Sequence, residues 1–454
     1  MAVDEPLSAA IAAMRASHPK AKTVEVFSVG LNGVPRGKRV PLEAVDRLAR
    51  EGPGGVRFQP SLAGLDIFGL DVPASGIAME TGDPDGAFVP LAHTLGPASF
   101  CERPLLVLQG MLADASGSPL SAYDPRAVLL DVLEKARAMG FRPVVALELE
   151  FYLIDPVKAA PARHPTQGTR LDAFQMMDLD LTEAFDPILS AVCEAAAAQG
   201  IVTETVLAEF GAGQFEINLR HRDDAARACD EMVALKRLIR AAARAKGLDA
   251  TFMAKPFGAF SGSGLHIHLS LLDQTGRNVF DEPGEPVGRQ LQAAIAGLAE
   301  TTGDTFLVFA PHLNSYRRFL EGSYAPMSCT WGLDNRGAAI RVPKCRGPDA
   351  RLEHRIAGAD ANPYLVTAAV IAAVLDGIAN SRTPGPISQT DVGEGPEFPG
   401  TWREAIERFA GSIFAEQAFG PETRHVFSSM KRQEEAVLRQ RVTDVEYEIY
   451  LRNT

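Results

Sequence analysis

Residues 144–154 read Val-Val-Ala-Leu-Glu-Leu-Glu-Phe-Tyr-Leu-Ile, and this stretch decides the fold. Apolar side chains alternate with Ala146, Glu148, Glu150 and Tyr152, which is the period of a β-strand with one buried face. Successive side chains of a strand point to opposite faces, so Glu148 and Glu150 lie side by side on one face. Two adjacent carboxylates repel each other unless a cation lies between them. The stretch therefore predicts a strand whose polar face binds a cation.

Three later stretches alternate in the same way and carry other metal-binding or anion-binding side chains. Their polar positions are Gln214, Glu216 and Asn218, preceded by Glu209, then His266, His268 and Ser270, and then Arg351, Glu353 and Arg355. One apolar face and one polar face are typical of strands in a half-buried sheet. Together the four stretches predict a curved sheet or barrel whose polar side is a functional site.

Composition narrows the class of protein. The chain has 454 residues, enough for two domains, and its 46% hydrophobic and 22% charged residues are ordinary globular values. Its 45 basic and 57 acidic residues give a net charge of −12, which argues against a nucleic-acid partner. The five cysteines have no Cys-x-x-Cys spacing, so reduced thiols are expected. The sequence shows no signal-peptide core and no membrane-spanning run, which predicts a cytoplasmic protein with no membrane partner.

The N-terminal patterns predict a small α+β domain at residues 1–115. Its elements are expected to be a helix, a hairpin strand with an Asn-Gly turn, a second helix and a last strand, at residues 8–15, 23–33, 41–51 and 104–110. Residues 57–90 are rich in Gly, Pro and Asp and are expected to be loops.

The remaining residues, 116–454, are predicted to form a larger catalytic domain. A helix is expected to start at Asp124-Pro125, because Asp is a favoured N-cap and Pro a favoured first helical residue. Long alanine-rich helices are expected to pack around the sheet, at residues 185–200, 223–247 and 286–301.

A cluster of carboxylates with one or two imidazoles is a site for a hard cation, and its oxygen ligands suit Mg²⁺ or Mn²⁺. A single Glu on a strand usually faces solvent, and a single His is more often structural. Here the acidic and imidazole side chains come from separate stretches with apolar alternates, which favours one shared site. The candidate ligands are Glu148, Glu150, Glu209, Glu216, His266 and Glu353.

Arginines accompany these acidic side chains, at positions 317, 318, 336, 341, 351 and 355. Carboxylates that hold metal ions, together with arginines that bind anionic oxygens, are what phosphoryl transfer requires. A structural salt-bridge network is the alternative for any one arginine. The sequence has no G-x-x-x-x-G-K-[ST] motif, so a nucleotide would not be bound by a P-loop.

The stretches resemble the motifs of the glutamine synthetase family and occur in that family's order. The matching segments are Glu148-Leu-Glu-Phe-Tyr, Glu209-Phe-Gly-Ala-Gly-Gln-Phe-Glu, Ser263-Gly-Leu-His-Ile-His, Asn314-Ser-Tyr-Arg-Arg, Asn335-Arg, Arg341-Val-Pro and Arg351-Leu-Glu-His-Arg. The resemblance implies a β-grasp N-terminal domain and a catalytic domain whose curved antiparallel sheet is flanked by helices. It also implies a homo-oligomeric double ring, a dodecamer, with active sites between neighbouring subunits.

The resemblance implies two or three Mg²⁺ or Mn²⁺ ions at each site, with ATP as co-substrate. One ion corresponds to the ligands Glu150, Glu209 and Glu216, and a second, near the nucleotide phosphates, to Glu148, His266 and Glu353. The other matching positions are Gly262, Arg318 and Arg355 for glutamate, His268, Ser270 and Arg351 for the nucleotide, and Arg336 and Arg341 for the transferring phosphoryl group.

Two positions depart from the ammonia-using members of the family. Those members carry a Glu that closes over the site where this chain has Tyr324, and an Asp in a Phe-Asp-Gly-Ser-Ser loop where it has Gln59. The loss of both carboxylates removes charge and hydrogen-bond acceptors that ammonium needs, and leaves a roomier site. The chain is thus similar to the glutamate–amine ligase branch, with Tyr324 as an active-site residue that favours an amine.

The expected function is an ATP-dependent ligase that joins the γ-carboxylate of glutamate to a polyamine or a small alkylamine through γ-glutamyl phosphate. One alternative is an ammonia-dependent glutamine synthetase. A second is a non-catalytic regulator that binds nucleotide and metal with the same fold. Retention of all the metal and phosphoryl positions argues against the regulator.

Overall fold

The N-terminal residues form one sheet with two helices in the computed structural model, which describes residues 6–52, 55–114, 122–171, 173–320, 323–389 and 395–454. The elements are α1 (Leu7–Ser17), β1 (Thr23–Val29), β2 (Pro35–Pro41), α2 (Leu42–Glu51), β3 (Arg57–Phe58), β4 (Gly86–Pro90), β5 (Gly96–Pro97) and β6 (Leu106–Ala113). The strand order is β2-β1-β6-β4-β3, with β5 paired to β6. Strands β1 and β6 are parallel, and the other neighbours are antiparallel.

Most N-terminal predictions are confirmed. Both helices and the hairpin are present, and Gly33 takes a φ of 70° in the hairpin turn, a conformation that suits glycine. The prediction of loops throughout residues 57–90 was wrong at its two ends, where β3 and β4 pair. These strands are too short to show a period, and the contact that buries them, between the rings of Phe58 and Phe88 at 5.5 Å, is tertiary.

The rest of the chain forms a second, larger sheet. Its strands are β7 (Arg142–Asp155), β8 (Ala160–Pro161), β9 (Thr203–Ala208), β10 (Gln214–Leu219), β11 (Asp249–Thr251), β12 (Leu265–Leu272), β13 (Trp331–Leu333), β14 (Ile340–Lys344) and β15 (Arg351–His354). The order is β13-β14-β15-β12-β7-β10-β9, with β8 and β11 paired to β7. The neighbours are antiparallel except β13 and β14, which are parallel. The predicted α+β class with a curved, mainly antiparallel sheet is confirmed.

Helices lie between and after these strands in the chain, and several of them pack against the sheet. They are α3 (Pro125–Ala138), α4 (Leu179–Ala198), α5 (Ala225–Ala245), α6 (Arg289–Phe309), α7 (Pro363–Ala379), α8 (Trp402–Gly411), α9 (Ile413–Phe419), α10 (Pro421–Arg439) and α11 (Asp444–Tyr450). Asp124 caps α3 as predicted, accepting hydrogen bonds from two backbone N–H groups. The predicted end of α6 at residue 301 was wrong. The hydroxyls of Thr301 and Thr302 donate to the carbonyls of Gly297 and Leu298 one turn back, and the helix continues through Gly303 to Phe309.

The apolar face of β7 forms the centre of the core. Val145, Leu147, Leu149 and Phe151 are fully buried and share one cluster with the buried faces of α4, α5 and α7. The polar face is left on the other side of the sheet, where Glu148 and Glu150 lie.

The predicted division between residues 115 and 116 falls on residues outside the described part, so the domain boundary stays a prediction. In the described part, no helix combines the length and the apolar character that crossing a bilayer would need.

The β1–β2 turn is fixed to the helices beside the large sheet. Asn362, the N-cap of α7, donates to the carbonyls of Gly30 and Leu31 at 3.0 and 3.2 Å. Asn32 donates to Glu434 at 2.8 Å, and Glu434 pairs with Lys431 at 3.0 Å, both fully buried. These bonds hold the two sheets in one arrangement.

Helices α6 and α7 cross at two glycines. A Cβ atom on Gly297 would lie 2.1 Å from the carbonyl oxygen of Ala373, and one on Gly377 would lie 2.1 Å from that of Ala293. Backbone atoms cannot move aside cheaply, so only glycine permits this approach.

Gly297→Ala should therefore lower the free energy of unfolding by about 1–3 kcal/mol through overpacking. Gly303→Ala on the same helix is the control, because its Cβ would meet the end of the flexible Arg408 side chain at 2.4 Å. We expect that variant to be neutral or slightly stabilised by its higher helix propensity. Midpoints of thermal unfolding measure both, and equal midpoints would contradict the close helix contact.

Candidate active site

Strand register brings the predicted side chains together on the polar face of the large sheet. His266 lies opposite Glu148, and Glu216 lies opposite Glu150. His268 of β12 lies opposite Glu353 of β15. Directly opposed residues of antiparallel strands have Cβ atoms about 5 Å apart, so residues distant in sequence share one site.

Two groups of side chains bring three ligand atoms each within 4.8 Å of one another. The first is Glu148, His266 and Glu353, and the second is Glu150, Glu216 and His266. The Nδ1 atom of His266 lies 3.4 Å from Glu148 and 3.8 Å from Glu353, and its Nε2 atom lies 3.8 Å from Glu150. The first group is the set that the resemblance assigned to one ion. His266 thus lies between two candidate cation sites.

Burial and repulsion among the carboxylates raise the pKa values of two of them, Glu216 and Glu209. Burial, and then the charges of Glu148 and Glu150, raise the pKa of Glu216 to about 9. Burial and the charge of Glu150 raise the pKa of Glu209 to about 7. Burial opposes ionisation of Glu148 too, but hydrogen bonds with His266 and His268 lower its pKa overall. A divalent cation would relieve this repulsion, so the carboxylate-rich donor set fits Mg²⁺ or Mn²⁺.

Glu209 stands apart from both groups. Its carboxylate accepts from the backbone N–H of Phe210 at 2.9 Å, and its own N–H donates to the carbonyl of Gln214. The structure therefore places Glu209 near Glu150 but outside the second ligand group, where His266 stands instead. Its assignment as a metal ligand stays a prediction.

Glu353 anchors two of the predicted arginines. Its side chain is 1% exposed and accepts from Arg341 at 2.8 Å and from Arg355. Burial opposes ionisation, but the charges of Arg355 and His266 outweigh it and lower the pKa of Glu353 to about 2. The Nε atom of Arg355 is buried without a hydrogen-bond partner among the described residues.

Arg318 and Gly262 fit closely together. The Arg318 guanidinium donates to the backbone carbonyls of Ile356 at 2.6 Å and Arg355 at 3.3 Å. A Cβ atom on Gly262 would lie 2.6 Å from Arg318 Cγ. Arg318 thus supports the strand end that carries Arg355, and its predicted contact with glutamate stays a prediction.

The three predicted nucleotide positions lie on β12 and β15, next to the first ligand group. His268 is 2.9 Å from Glu148 through Nε2, and Arg351 donates to its Nδ1 at 3.4 Å. The hydroxyl of Ser270 donates to the carbonyl of Ala350. Arg336, predicted to act on the phosphoryl group, is exposed in the turn before β14, while Arg341 lies within β14 and contacts Glu353.

Tyr324 belongs to an aromatic cluster that we call the aromatic trio, formed with Phe174 and Phe210. Tyr324 is 71% exposed, and its ring centroid lies 4.7 Å from that of Phe210. The ring centroid of Phe174 lies 4.4 Å from that of Phe210, and the Phe174 side chain is 63% exposed. Phe210 follows Glu209 directly in the chain, so the aromatic trio is attached next to one of the predicted metal ligands.

Comparison with known proteins agrees with this geometry. The sequence profile described as glutamine synthetase, catalytic domain, matches residues 122–450. The chain is 35% identical over 446 residues to gamma-glutamylputrescine synthetase PuuA of Escherichia coli strain K12, covering 96% of this chain and 93% of that protein. It is 34% identical over 409 residues to a glutamate–isopropylamine ligase of a Pseudomonas species, covering 87% and 86%.

The fold agrees as well. The solved structure of a GmaS/ADP complex superposes with a TM-score of 0.84 at 26% identity, covering 99% of this chain and 100% of that one. The fold and these relatives define the class of the chain as a ligase. The chain belongs to the glutamine synthetase family, and the resemblance to its glutamate–amine ligase branch is confirmed.

Sequence reasoning gave no role to Gln214, which the structure places at the centre of the site. Its side-chain amide donates to Glu150 at 3.3 Å and to the carbonyl of Gly262 at 3.0 Å, and its oxygen accepts from the N–H of Gly211. The residue occupied a polar position of its strand, which was the available signal. The contacts of Phe174 gave no signal, because they join segments far apart in sequence.

We predict that Mn²⁺ binding at pH 7 releases about one proton or more, because ligands must be deprotonated. Glu216, with a pKa of about 9, is protonated before the ion binds, and Glu209, with a pKa of about 7, is half protonated. Calorimetry in buffers of different ionisation enthalpy counts the protons. Because the folded pKa of Glu216 exceeds the unfolded value, the contribution of Glu216 to the stability of the metal-free chain should fall as the pH rises from about 4 to about 9.

Glu216→Gln should release fewer protons, whereas Glu407→Gln, at an exposed position that pairs with Arg432, should release as many as the unaltered chain. Binding without proton release at pH 7 would contradict the raised pKa of Glu216.

Proposed function

We propose that the chain is an ATP-dependent ligase that joins the γ-carboxylate of glutamate to an organic amine. The observation that carries this proposal is the aromatic trio beside Glu209, in a site that retains the carboxylates and arginines of phosphoryl transfer. The names of the relatives support it, because PuuA and the isopropylamine ligase are named for such reactions.

Six side chains are proposed to hold the divalent ions: Glu148, Glu150, Glu209, Glu216, His266 and Glu353. When bound, Mg²⁺ or Mn²⁺ would neutralise phosphate charge and orient the phosphate oxygens. His268, Ser270 and Arg351 are proposed to contact ATP, because they extend along β12 and β15 from the first ligand group.

The reaction has two steps. An oxygen of the glutamate γ-carboxylate attacks the γ-phosphorus of ATP, the bond to ADP breaks, and γ-glutamyl phosphate forms. The amine nitrogen then attacks the γ-carbon, phosphate leaves, and the amine gives up a proton as the amide forms. Arg336 and Arg341 are proposed to stabilise the charge on the transferring phosphoryl group.

Glutamate is proposed to bind at Gly262, Arg318 and Arg355. The position of Arg355 supports this assignment, because its guanidinium pairs with Glu353 of the first ligand group. Gln214 would keep the Gly262 carbonyl and Glu150 in register.

The aromatic trio favours an amine that carries an apolar group. Ring faces attract a cationic nitrogen and bury alkyl carbons, whereas ammonium offers no carbon to bury. The Glu that ammonia-using members bring over the site is replaced by Tyr324, so the wall next to Glu209 is apolar.

Assembly into a homo-oligomeric double ring is also proposed. Residues 442–451 expose Val442, Val445, Ile449 and Leu451, each more than 45% exposed. Exposed apolar side chains grouped on one segment are typical of surfaces that pack against another subunit.

The test is phosphate release from ATP with glutamate and Mg²⁺, across ammonium, methylamine, ethanolamine, butylamine, putrescine and spermine. We expect turnover with an organic amine and little with ammonium. Butylamine and putrescine have the same four carbons, so their comparison isolates the effect of a second charge. Strong turnover with ammonium would indicate a glutamine synthetase, and no turnover with any amine would favour a binding regulator.

Tyr324→Glu should shift the ratio of amine to ammonium turnover about tenfold toward ammonium, because it replaces an aromatic face by a carboxylate. Tyr324→Phe is the matched control, since it keeps the ring and the same backbone strain at φ 59°. An unchanged ratio in Tyr324→Glu would show that Tyr324 does not select the substrate.

A further inference from the structure

A cleft of about 990 Å³ lies between the N-terminal sheet and helix α5. Its walls are β1 and β2, the segment at residues 93–109, and the outer face of α5. The buried face of α5 packs in the same core cluster as the apolar face of β7. The cleft is therefore separated by α5 and the sheet from Glu148 and Glu150, and none of the proposed site residues lines it.

The cleft carries a surplus of positive charge. Each acidic side chain in its wall is shared by two basic ones. Glu25 pairs with Arg39 and Arg237, Asp230 pairs with Arg126 and His93, and Glu231 pairs with Arg222 and Arg227. A positive region on a chain whose net charge is −12 is a local departure from the average, and it attracts anions.

Arg237, Arg240 and Arg244 extend the positive charge along one side of α5, at intervals of three and four residues. Arg240 lies over the ring of Phe252 at 4.8 Å and forms no ion pair with a carboxylate of the described residues. Arg244 is 64% exposed and pairs with Asp249 at 3.3 Å. Burial and the like charge of Arg244 lower the pKa of Arg240, and the charge of Asp249 offsets them only in part.

The same cleft has apolar walls. Phe27, Leu105, Val107 and Ile201 line it, and the guanidinium of Arg237 lies over the ring of Phe27 at 4.2 Å. Its volume lies at the upper end of the range of about 300–1,000 Å³ that is usual for small-molecule sites. Convergent charged groups on an otherwise apolar wall are typical of sites that fix the orientation of a ligand.

We propose that this cleft binds a small organic anion, with a carboxylate or phosphate group held by Arg237, Arg240 and Arg244 and an apolar part against Phe27 and Val107. Such a ligand contacts both the N-terminal sheet and α5, so it stabilises their arrangement. This site is distinct from the proposed active site and does not depend on the proposed reaction.

Calorimetric titration with phenyl phosphate, phenylacetate, inorganic phosphate and benzyl alcohol tests the proposal. We expect saturable binding of phenyl phosphate or phenylacetate, tighter than that of inorganic phosphate and weaker as NaCl rises. The tighter of the two aromatic anions identifies the head group. Benzyl alcohol, which lacks the charge, should not bind.

Arg240→Ala should weaken the binding about tenfold or more, since a hydrogen-bonded charge contact is lost. It breaks no ion pair of the described residues, and an unchanged midpoint of thermal unfolding without ligand would show that the fold is kept. Arg244→Ala is a second test at an exposed position. Arg289→Ala, which pairs with Glu282 outside the cleft, is the control and should bind normally.

The proposal is overturned if neither aromatic anion binds saturably at millimolar concentration. It is also overturned if Arg240→Ala and Arg244→Ala both bind as tightly as the unaltered chain. Turnover on amines bears on neither result, so the two proposals can fail separately.

Discussion

Repulsion among carboxylates on one face of a sheet is the constraint on which the rest of this structure depends. Glu148, Glu150 and Glu216 lie on adjacent strands, and burial raises the pKa of Glu216 to about 9. Such crowding persists only if the backbone beneath it cannot rearrange. The fully buried side chains of β7, covered by three helices, supply that rigidity.

Histidine and arginine side chains lie against these carboxylates. His266 lies between both ligand groups, and Glu353 holds Arg341 and Arg355 against the same face. Carboxylates thus lie on the neighbouring strands β10 and β7, imidazoles on β12, and Glu353 at the end of β15 beside Arg355. A site built on strands rather than loops keeps its geometry when substrates enter, which suits a reaction that depends on positioning.

Much of this was predictable because the strand period fixes the face of each side chain. The strand period predicted that Glu148, His266 and Glu353 share one polar face, and their grouping around one ion was what the family resemblance implied. The end of α6 and the strands β3 and β4 were not predictable, because threonine side-chain bonds and a ring contact override local sequence. The aromatic trio depends on where loops fold back onto the sheet. The alternation of apolar and polar residues along a strand does not predict where a loop folds.

The backbone at Tyr324 has a consequence for how this family diversifies. With φ at 59°, the position lies in the left-handed region, where β-branched residues are strained and Gly, Asn and Asp are at ease. A substitution at this position must therefore tolerate the left-handed backbone conformation, whatever its effect on the chemistry of the site. Routes that change the amine will pass more readily through Phe174 and Phe210, whose backbones have no such restriction, than through Tyr324 itself.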